Sequence, residues 1–82
     1  MSLDDEFQEA TKRVNAASGL GNTQMLEFYG LFKQATSGDA RGNRPGTFDL
    51  RGRAKYDAWA ARKGLSSEDA KKLYIEQAKK LG

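Results

Sequence analysis

The residues best suited to ligand chemistry lie between positions 28 and 46, in the segment FYGLFKQATSGDARGNRPG. Tyr29, Phe32 and Lys33 fall within about one helical turn and are followed by a loop rich in glycine and arginine. An aromatic face can stack on a flat heterocycle, and a nearby lysine can bind a phosphate. A nucleotide needs such a pairing where no phosphate-binding glycine loop exists, and the Gly-Leu-Gly at 19–21 is only a fragment of the dinucleotide-binding motif.

The residue types that are missing argue against most enzyme chemistry. The 82 residues include no histidine and no cysteine, so the usual zinc ligands, the commonest general base and any Ser-His or Cys-His nucleophile pair are lacking. The carboxylates are scattered along predicted helix surfaces rather than paired in an apolar setting, as acid–base work would require. We therefore predict a binding protein with no catalytic residue and no metal, rather than an enzyme.

The composition predicts one folded domain over residues 1–82. With 38% hydrophobic and 30% charged residues, the chain should fold rather than remain disordered. Five cations against two anions lie between Gly38 and Lys55, which favours an anionic partner. The acidic N-terminus does not resemble a signal peptide, and no apolar run approaches the roughly 18 residues of a membrane span. We expect a cytoplasmic monomer without stable membrane insertion.

Apolar periodicity predicts four helices and no strand, and hence an all-α four-helix bundle. In the first helix, from about Leu3 to Ala17, apolar residues recur at steps of 4, 3, 4 and 3, with Ser2 as the cap. The other three helices are expected at about Thr23–Thr36 with Asn22 as cap, at Leu50–Lys63 with Asp49 as cap, and after the capping motif Ser66-Ser67-Glu68-Asp69.

Some residues in these elements are expected to be structural. Gly30 weakens the second helix by about 1 kcal/mol relative to alanine, and its small size would allow close approach of another helix or of a ligand. Most of the eight aromatic residues should lie in the core, Phe28 and Trp59 among them. Arg44 and Pro45 are expected to shape the turn into the third helix.

Three segments of the chain resemble the acyl-CoA-binding protein family. These are 25-MLEFYGLFKQATSGD-39, 44-RPGTFDLRGRAKYDAW-59 and 64-GLSSEDAKKLYI-75, which match separate conserved blocks of that family and keep their spacing. The likeness covers nearly the whole chain. It implies an up-down-down-up four-helix bundle that binds medium- to long-chain fatty acyl-CoA esters, buffers their concentration and delivers them to acyl-CoA-using enzymes, without a cofactor.

The resemblance also implies roles for residues of the coenzyme A site. Tyr29, Lys33 and Lys55 match the family residues that hold the ribose 3′-phosphate. Phe32 and Tyr74 match aromatic positions beside the adenine and ribose.

Further matches concern the rest of the ligand. Arg51 falls where the family has a basic residue near the nucleotide. Phe7, Met25 and Leu26 match the apolar groove that covers the acyl chain. Each buried methylene would contribute at most about 0.8 kcal/mol, so affinity should rise with chain length until the groove is filled.

The sequence departs from the family pattern at several positions. Phe32 replaces a tyrosine and so lacks a hydroxyl that could contact the nucleotide. Asn15 stands where the family often has lysine, so the charge that would make one phosphate contact is missing. Thr11 lies where the groove is usually apolar. These departures predict weaker or differently tuned binding rather than loss of function.

Two other classes of function remain open from the residues alone. A small basic helical nucleic-acid-binding domain would use an exposed helix, and the third helix carries Arg51, Arg53, Lys55, Arg62 and Lys63. Its binding would fall steeply with salt, whereas binding of an acyl tail would keep its dependence on chain length. The second class is a protein-interaction bundle whose ligand pocket no longer works. We expect acyl-CoA as the ligand and no nucleic-acid partner.

Overall fold

The computed structural model describes residues 1–81 and contains four α-helices, with no strand among those residues. The helices are α1 (Leu3–Ala16), α2 (Asn22–Ser37), α3 (Leu50–Ala60) and α4 (Ser67–Lys79). Helix α4 packs against both α1 and α2, and α3 packs against the other side of α2. Within the described part of the chain, no helix has the length and apolar character needed to cross a bilayer.

Side-chain caps start three of the helices where the sequence predicts them. Ser2 Oγ accepts a hydrogen bond from Asp5 N at 3.1 Å, and Ser66 Oγ accepts one from Asp69 N at 3.0 Å. Asp49 Oδ1 likewise accepts from Gly52 N at 2.9 Å. Each cap satisfies a backbone N–H that has no partner within its helix, so it fixes the first residue of α1, α3 or α4.

Two helix ends differ from the prediction. Asn22 is the first residue of α2 rather than its cap, and Gly21 precedes the helix with its N–H donating to Gln24 Oε1 at 3.4 Å. Helix α3 ends at Ala60 instead of reaching Lys63, because the chain tightens into turns that lead to Gly64, whose φ is +95°. The positive φ favours glycine, which redirects the chain towards α4.

The core forms where α4 crosses α1 and α2. Its buried members come from these three helices: Phe7, Ala10, Phe28, Leu31, Ala35, Ala70, Tyr74, Ile75 and Ala78. Every residue of α3, from Leu50 to Ala60, keeps some exposure. The expectation of a buried Phe28 is confirmed, whereas Trp59 is only partly buried because it lies on this peripheral helix.

At Gly30, α2 and α3 pack too closely to admit a side chain. A Cβ atom added there would lie 2.3 Å from the carbonyl oxygen of Ala58 and 2.8 Å from its carbonyl carbon. Of the two alternatives left open by the sequence, the structure therefore supports helix–helix packing. Alanine or any larger residue at this position would force α3 away from α2.

A set of hydrogen bonds ties the C-terminal end of α2 to the chain between α3 and α4. The fully buried Gln34 donates from Nε2 to Asp39 Oδ1 at 2.7 Å and to the Leu65 carbonyl at 2.8 Å. Gly64 N also donates to Asp39 Oδ1, at 2.9 Å. We call this region the tied end; its further bonds are Trp59 Nε1 to the Gly38 carbonyl and Ser67 Oγ to the Ala35 carbonyl.

Candidate functional site

Two open grooves lie on either side of the N-terminal half of α2. The first, called the α1–α2 groove, is mostly apolar and is lined by Thr11, Val14, Asn15, Ala17, Gly19, Leu20, Met25, Phe28, Tyr29, Phe32 and Tyr74. The second, called the α2–α3 groove, is lined by Asn22, Met25, Leu26, Tyr29, Leu50, Arg51, Ala54 and Lys55. Met25 and Tyr29 belong to both linings, so the grooves meet across α2.

This junction brings most of the predicted ligand-binding residues together. The α1–α2 groove contains Tyr29, Phe32 and Tyr74, the three aromatic residues expected near the nucleotide. The α2–α3 groove contains Arg51 and Lys55, from a separate helix. Since the close contact at Gly30 holds α3 against α2, residues about 26 positions apart in sequence face one groove.

The two lysines are positioned by aromatic rings. Lys55 Nζ lies 5.4 Å from the centroid of the Tyr29 ring, and Lys33 Nζ lies 4.7 Å from the centroid of Trp59. Cation–π attraction of this kind holds an ammonium group near the protein surface while leaving its N–H donors available to an anion. The structure therefore places positive charge beside the Tyr29 ring and beside the α2–α3 contact.

An aromatic cluster forms the floor between α1 and α2. The Tyr74 ring packs edge to face on Phe7 and on Phe28, with centroid distances of 5.1 Å in both cases. Phe32 stacks on Phe7 at 5.9 Å and keeps 39% of its surface exposed. Phe32 thus offers an accessible ring to the groove, supported from below by Phe7.

Tyr74 contributes differently from Phe32 because its ring is buried. Only 3% of Tyr74 is exposed, and burial raises the pKa of its hydroxyl to about 12. Like any tyrosine hydroxyl it is protonated at physiological pH, and burial strengthens that preference, so it can act as a hydrogen-bond donor at the groove floor.

The structure separates Phe7 from the other two residues predicted to line the acyl groove. Met25 and Leu26 line the α2–α3 groove, and Met25 is 56% exposed. Phe7 lies in the core beneath Phe32 and Tyr74, on the other side of α2. Sequence periodicity could not distinguish these positions. It predicts an apolar residue on the inner face of α1 in the same way whether that residue fills the core or lines a groove.

Asn15 and Thr11, at which the sequence departs from the family, both lie on the wall of the α1–α2 groove. Thr11 Oγ1 donates to the Gln8 carbonyl at 2.7 Å, so its hydroxyl hydrogen is used within α1. Asn15 is exposed. Its neutral amide supplies no positive charge at this wall.

Several groove residues escaped prediction as ligand contacts. Val14 and Ala17 continue the apolar stripe of α1 beyond its core residues, and this excess of apolar positions was the available signal. Gly19 and Leu20 belong to the link between α1 and α2, where no periodicity exists to be read. Ala54 faces the α2–α3 groove one turn after Leu50.

The arginine-rich loop is held by α3 instead of contributing to the grooves. Arg44 donates to Asp57 through two hydrogen bonds of 2.9 and 2.7 Å, which lower the pKa of the Asp57 carboxyl. Tyr56 Oη donates to the Gly42 carbonyl at 3.1 Å. The expectation that Arg44 has a structural role is confirmed.

The fold and its two joined grooves define a small all-α ligand-binding protein, and comparison with known proteins identifies its family. The family model described as "Acyl CoA binding protein" matches residues 4–78. The chain is 48% identical over 83 residues to an acyl-CoA-binding protein homolog of Manduca sexta, covering 99% of this chain and 92% of the relative. The corresponding values for acyl-CoA-binding protein homolog 1 of Caenorhabditis elegans are 47% over 81 residues, 99% and 93%.

A solved structure gives the same result. The chain matches the crystal structure of Oryza sativa Acyl-CoA-Binding Protein 2 with a TM-score of 0.93 at 41% identity, over 98% of this chain and 90% of that one. The chain belongs to the acyl-CoA-binding protein family. The predicted fold class, an all-α bundle of this family's type, is thereby confirmed.

Proposed function

We propose that this protein binds medium- to long-chain fatty acyl-CoA esters without covalent chemistry, and acts as a cytoplasmic carrier that keeps a bound pool of them. The observation that carries the proposal is the junction at Tyr29, where an aromatic groove and a groove containing cations and apolar residues meet. An acyl-CoA has the complementary parts: a flat base, phosphate charges and an apolar tail. Family membership supports the same ligand.

Tyr29, Lys33 and Lys55 are the residues to which we assign the ribose 3′-phosphate. Lys55 already lies over the Tyr29 ring, and Lys33 lies over Trp59, from which its flexible stem can swing towards a bound anion. Charge-assisted hydrogen bonds to phosphate are roughly twice as strong as neutral ones. These three side chains would therefore supply most of the affinity for free CoA.

We assign the base and ribose to the α1–α2 groove. Phe32 has the accessible ring there, and the protonated Tyr74 hydroxyl is a donor at the floor. Asn15 lines the same groove and can offer only an amide hydrogen bond to the nucleotide. Arg51, on the opposite groove, is assigned to the phosphate charges further along CoA.

The acyl tail is assigned to the α2–α3 groove, where Met25 and Leu26 face Leu50 and Ala54. Met25 and Leu50 are 56% and 76% exposed, so a tail that covers them removes apolar surface from water. The gain is at most about 0.8 kcal/mol per buried methylene. Phe7 would act indirectly, by supporting Phe32 rather than by touching the tail.

The nucleic-acid alternative has less support than acyl-CoA binding. Helix α3 would have to serve as the recognition helix, but Arg51 and Lys55 face the groove beside α2 and Asp57 is paired with Arg44. The structural and family matches all point to acyl-CoA-binding proteins. Delivery to acyl-CoA-using enzymes as a monomer is part of the proposal.

Calorimetric titration with free CoA and with C8, C12 and C16 acyl-CoA, at low and high salt, tests this function. We expect affinity to rise with tail length at both salt concentrations, with free CoA the weakest and the most salt-sensitive ligand. Equal affinity for all four ligands would refute the assignment of the tail groove. Absence of binding to any of them would refute the proposed function itself.

A further inference from the structure

Large apolar side chains are exposed where the long loop enters α3. Phe48 is 100% exposed and Leu50 is 76% exposed, one on each side of the capping residue Asp49. Met25, at 56%, faces the same α2–α3 groove as Leu50, together with Arg51 and Lys55. We call these residues the Phe48 surface: the groove residues Met25, Leu50, Arg51 and Lys55, and Phe48, which precedes Leu50 by two positions in the chain.

The net positive charge of the protein is concentrated in the segment that carries this surface. Residues 38–55 hold five cations and two anions, while the rest of the chain holds nine of each, so this segment accounts for the whole net charge of +3. Both anions of the segment accept internal hydrogen bonds, Asp49 from Gly52 N and Asp39 from Gln34 and Gly64. Among the described residues, Arg51 and Lys55 form no ion pair.

A fully exposed aromatic ring beside leucine and basic side chains matches the chemistry of an anionic bilayer surface. Aromatic and aliphatic side chains at such a surface enter the region between headgroups and acyl chains, and lysine and arginine are attracted to the lipid phosphates. A protein partner is the weaker fit, since a stable interface uses roughly 20–30 residues on each side. Three exposed apolar side chains are too few for that.

We propose that the Phe48 surface docks this protein reversibly on membranes that contain anionic lipids. Phe48 and Leu50 enter the interfacial region, and Arg51 and Lys55 contact the phosphates of the headgroups. Because Leu50, Arg51 and Lys55 also line the α2–α3 groove, docking brings the mouth of that groove to the bilayer. One consequence rests on the proposed function: an acyl chain then passes between the bilayer and the groove without crossing bulk water.

Sedimentation of the full chain with sucrose-loaded vesicles tests the docking, without any acyl-CoA present. The vesicles are phosphatidylcholine alone or phosphatidylcholine mixed with phosphatidylglycerol, at physiological ionic strength. We expect the protein to sediment with the anionic vesicles and not with the neutral ones. Phe48→Ser should weaken that binding by about tenfold, because this variant has no aromatic ring to bury in the bilayer. Phe48→Trp should bind at least as well as the parent.

A matched control removes a charge elsewhere. Lys72 is exposed on α4, outside the Phe48 surface, so Lys72→Gln should bind vesicles like the parent. An equal loss in Lys72→Gln and Phe48→Ser would indicate general charge adsorption and overturn the proposal. So would parent-level binding by Phe48→Ser, or failure of the parent to bind anionic vesicles. A concentration-dependent dimer that Phe48→Ser dissolves would assign the surface to a second copy of the chain instead.

The acyl-CoA titration in solution keeps this test separate from the proposed function. Phe48 does not belong to the lining of either groove described above, and its full exposure means that Phe48→Ser leaves the core unchanged. Its affinity for acyl-CoA in the absence of vesicles should equal that of the parent. A parent protein that binds anionic vesicles but no acyl-CoA would uphold the docking and refute only the proposed function.

Discussion

The two ends of α2 are built in opposite ways. At the tied end, Gln34 is fully buried and donates both to Asp39 and to the Leu65 carbonyl. At the other end, which we call the open end and define by Met25, Leu26 and Tyr29, the helix has a groove on each side and Met25 is largely exposed. On the proposed function, one helix thus serves stability at its C-terminal end and ligand binding at its N-terminal half.

This division has a physical reason. Buried polar groups stabilise a fold when they are hydrogen-bonded. The Gln34 Nε2 group donates two such bonds, although no described residue donates to the buried Gln34 Oε1, and these two bonds fix the geometry around the side chain. An apolar groove needs the reverse, a surface left uncovered so that a ligand can cover it. Gly30 lies between the two ends and lets α3 contact α2, so this contact sets the width of the α2–α3 groove at the open end.

The largest effect is expected from loss of the tied end. Gln34→Ala removes two hydrogen bonds from a fully buried site and leaves a cavity, which should lower the free energy of unfolding by about 2–4 kcal/mol. Chemical denaturation measures this change. Gln8→Ala, on the exposed face of α1, is the control and should alter stability by less than about 0.5 kcal/mol. Equal effects of the two substitutions would show that the Gln34 network adds no more to stability than an exposed glutamine does.

Lys33→Ala should lower the affinity for the ligand and leave the free energy of unfolding nearly unchanged. Loss of a charge-assisted contact to phosphate corresponds to about 1.5–3 kcal/mol, or roughly a 10- to 100-fold weaker affinity, for free CoA and for acyl-CoA alike. Calorimetry on both ligands provides the measurement, with Lys72→Ala on α4 as the control. A loss confined to long-chain ligands would place Lys33 at the tail and contradict its assignment to phosphate.

Gly30→Ala should couple the two ends. The new methyl group would meet the Ala58 carbonyl oxygen at 2.3 Å, and the resulting strain should exceed the gain in helix propensity by about 1–2 kcal/mol. Because α3 must move, the affinity for acyl-CoA should fall as well. Gly46→Ala is the control, since no described atom lies within 4 Å of its Cβ position. Unaltered stability and affinity in Gly30→Ala would show that the spacing of α2 and α3 is not set at this contact.

A smaller effect is expected at Phe32, on the wall of the α1–α2 groove. Because its ring is 39% exposed, Phe32→Tyr can add a hydroxyl without burying it. If the ring borders the base, acyl-CoA affinity should stay the same or tighten by up to about tenfold, the range of one net hydrogen bond. Unchanged affinity together with altered thermal stability would place Phe32 functionally in the core.

The smallest effect concerns acid stability at the tied end. Hydrogen bonds from Gly64 N and then from Gln34 hold the pKa of Asp39 below its ordinary value of 3.8. A carboxyl with a lowered folded-state pKa stabilises the fold above its unfolded pKa and loses that contribution as pH falls through the folded value. Thermal melts should therefore separate parent and Asp39→Asn at neutral pH and converge below about pH 4. A difference in melting temperature that grows as the pH falls would contradict the expected direction of this effect.

Local signals in the sequence predict most of the fold. Ser2, Asp49 and Ser66 each cap a helix that starts at the predicted place, because a cap acts on a backbone N–H only three residues ahead. The early end of α3 was missed because apolar periodicity does not distinguish the last turn of a helix from the tighter turns that follow Ala60. The turn there brings Gly64 N to Asp39, which lies 25 residues earlier in the chain. No local pattern carries such a contact.

The sequence predicted which residues belong to the candidate site better than it predicted how they are arranged. The resemblance to the family motifs pointed to Tyr29, Phe32, Lys33, Lys55 and Tyr74. The structure brings all of them except Lys33 into the linings of the two joined grooves. The burial of Phe7 was not readable, because Tyr74 from α4 covers it and that packing depends on the crossing of α1 and α4. The exposure of Phe48 was equally hidden, because most of the eight aromatics were expected in the core; that expectation is wrong, since only Phe7, Phe28 and Tyr74 are buried there.

Residue-by-residue NMR titration with dodecanoyl-CoA tests the central claim, that the ligand binds at the two grooves beside the N-terminal half of α2 and not at the tied end. Amide shifts should change most at Met25, Tyr29 and Ala54, around the two grooves. The amides of the tied end, Gly64 and Ser67 among them, should change little. Shifts concentrated at the tied end, or spread evenly over α1 and α4, would contradict the account.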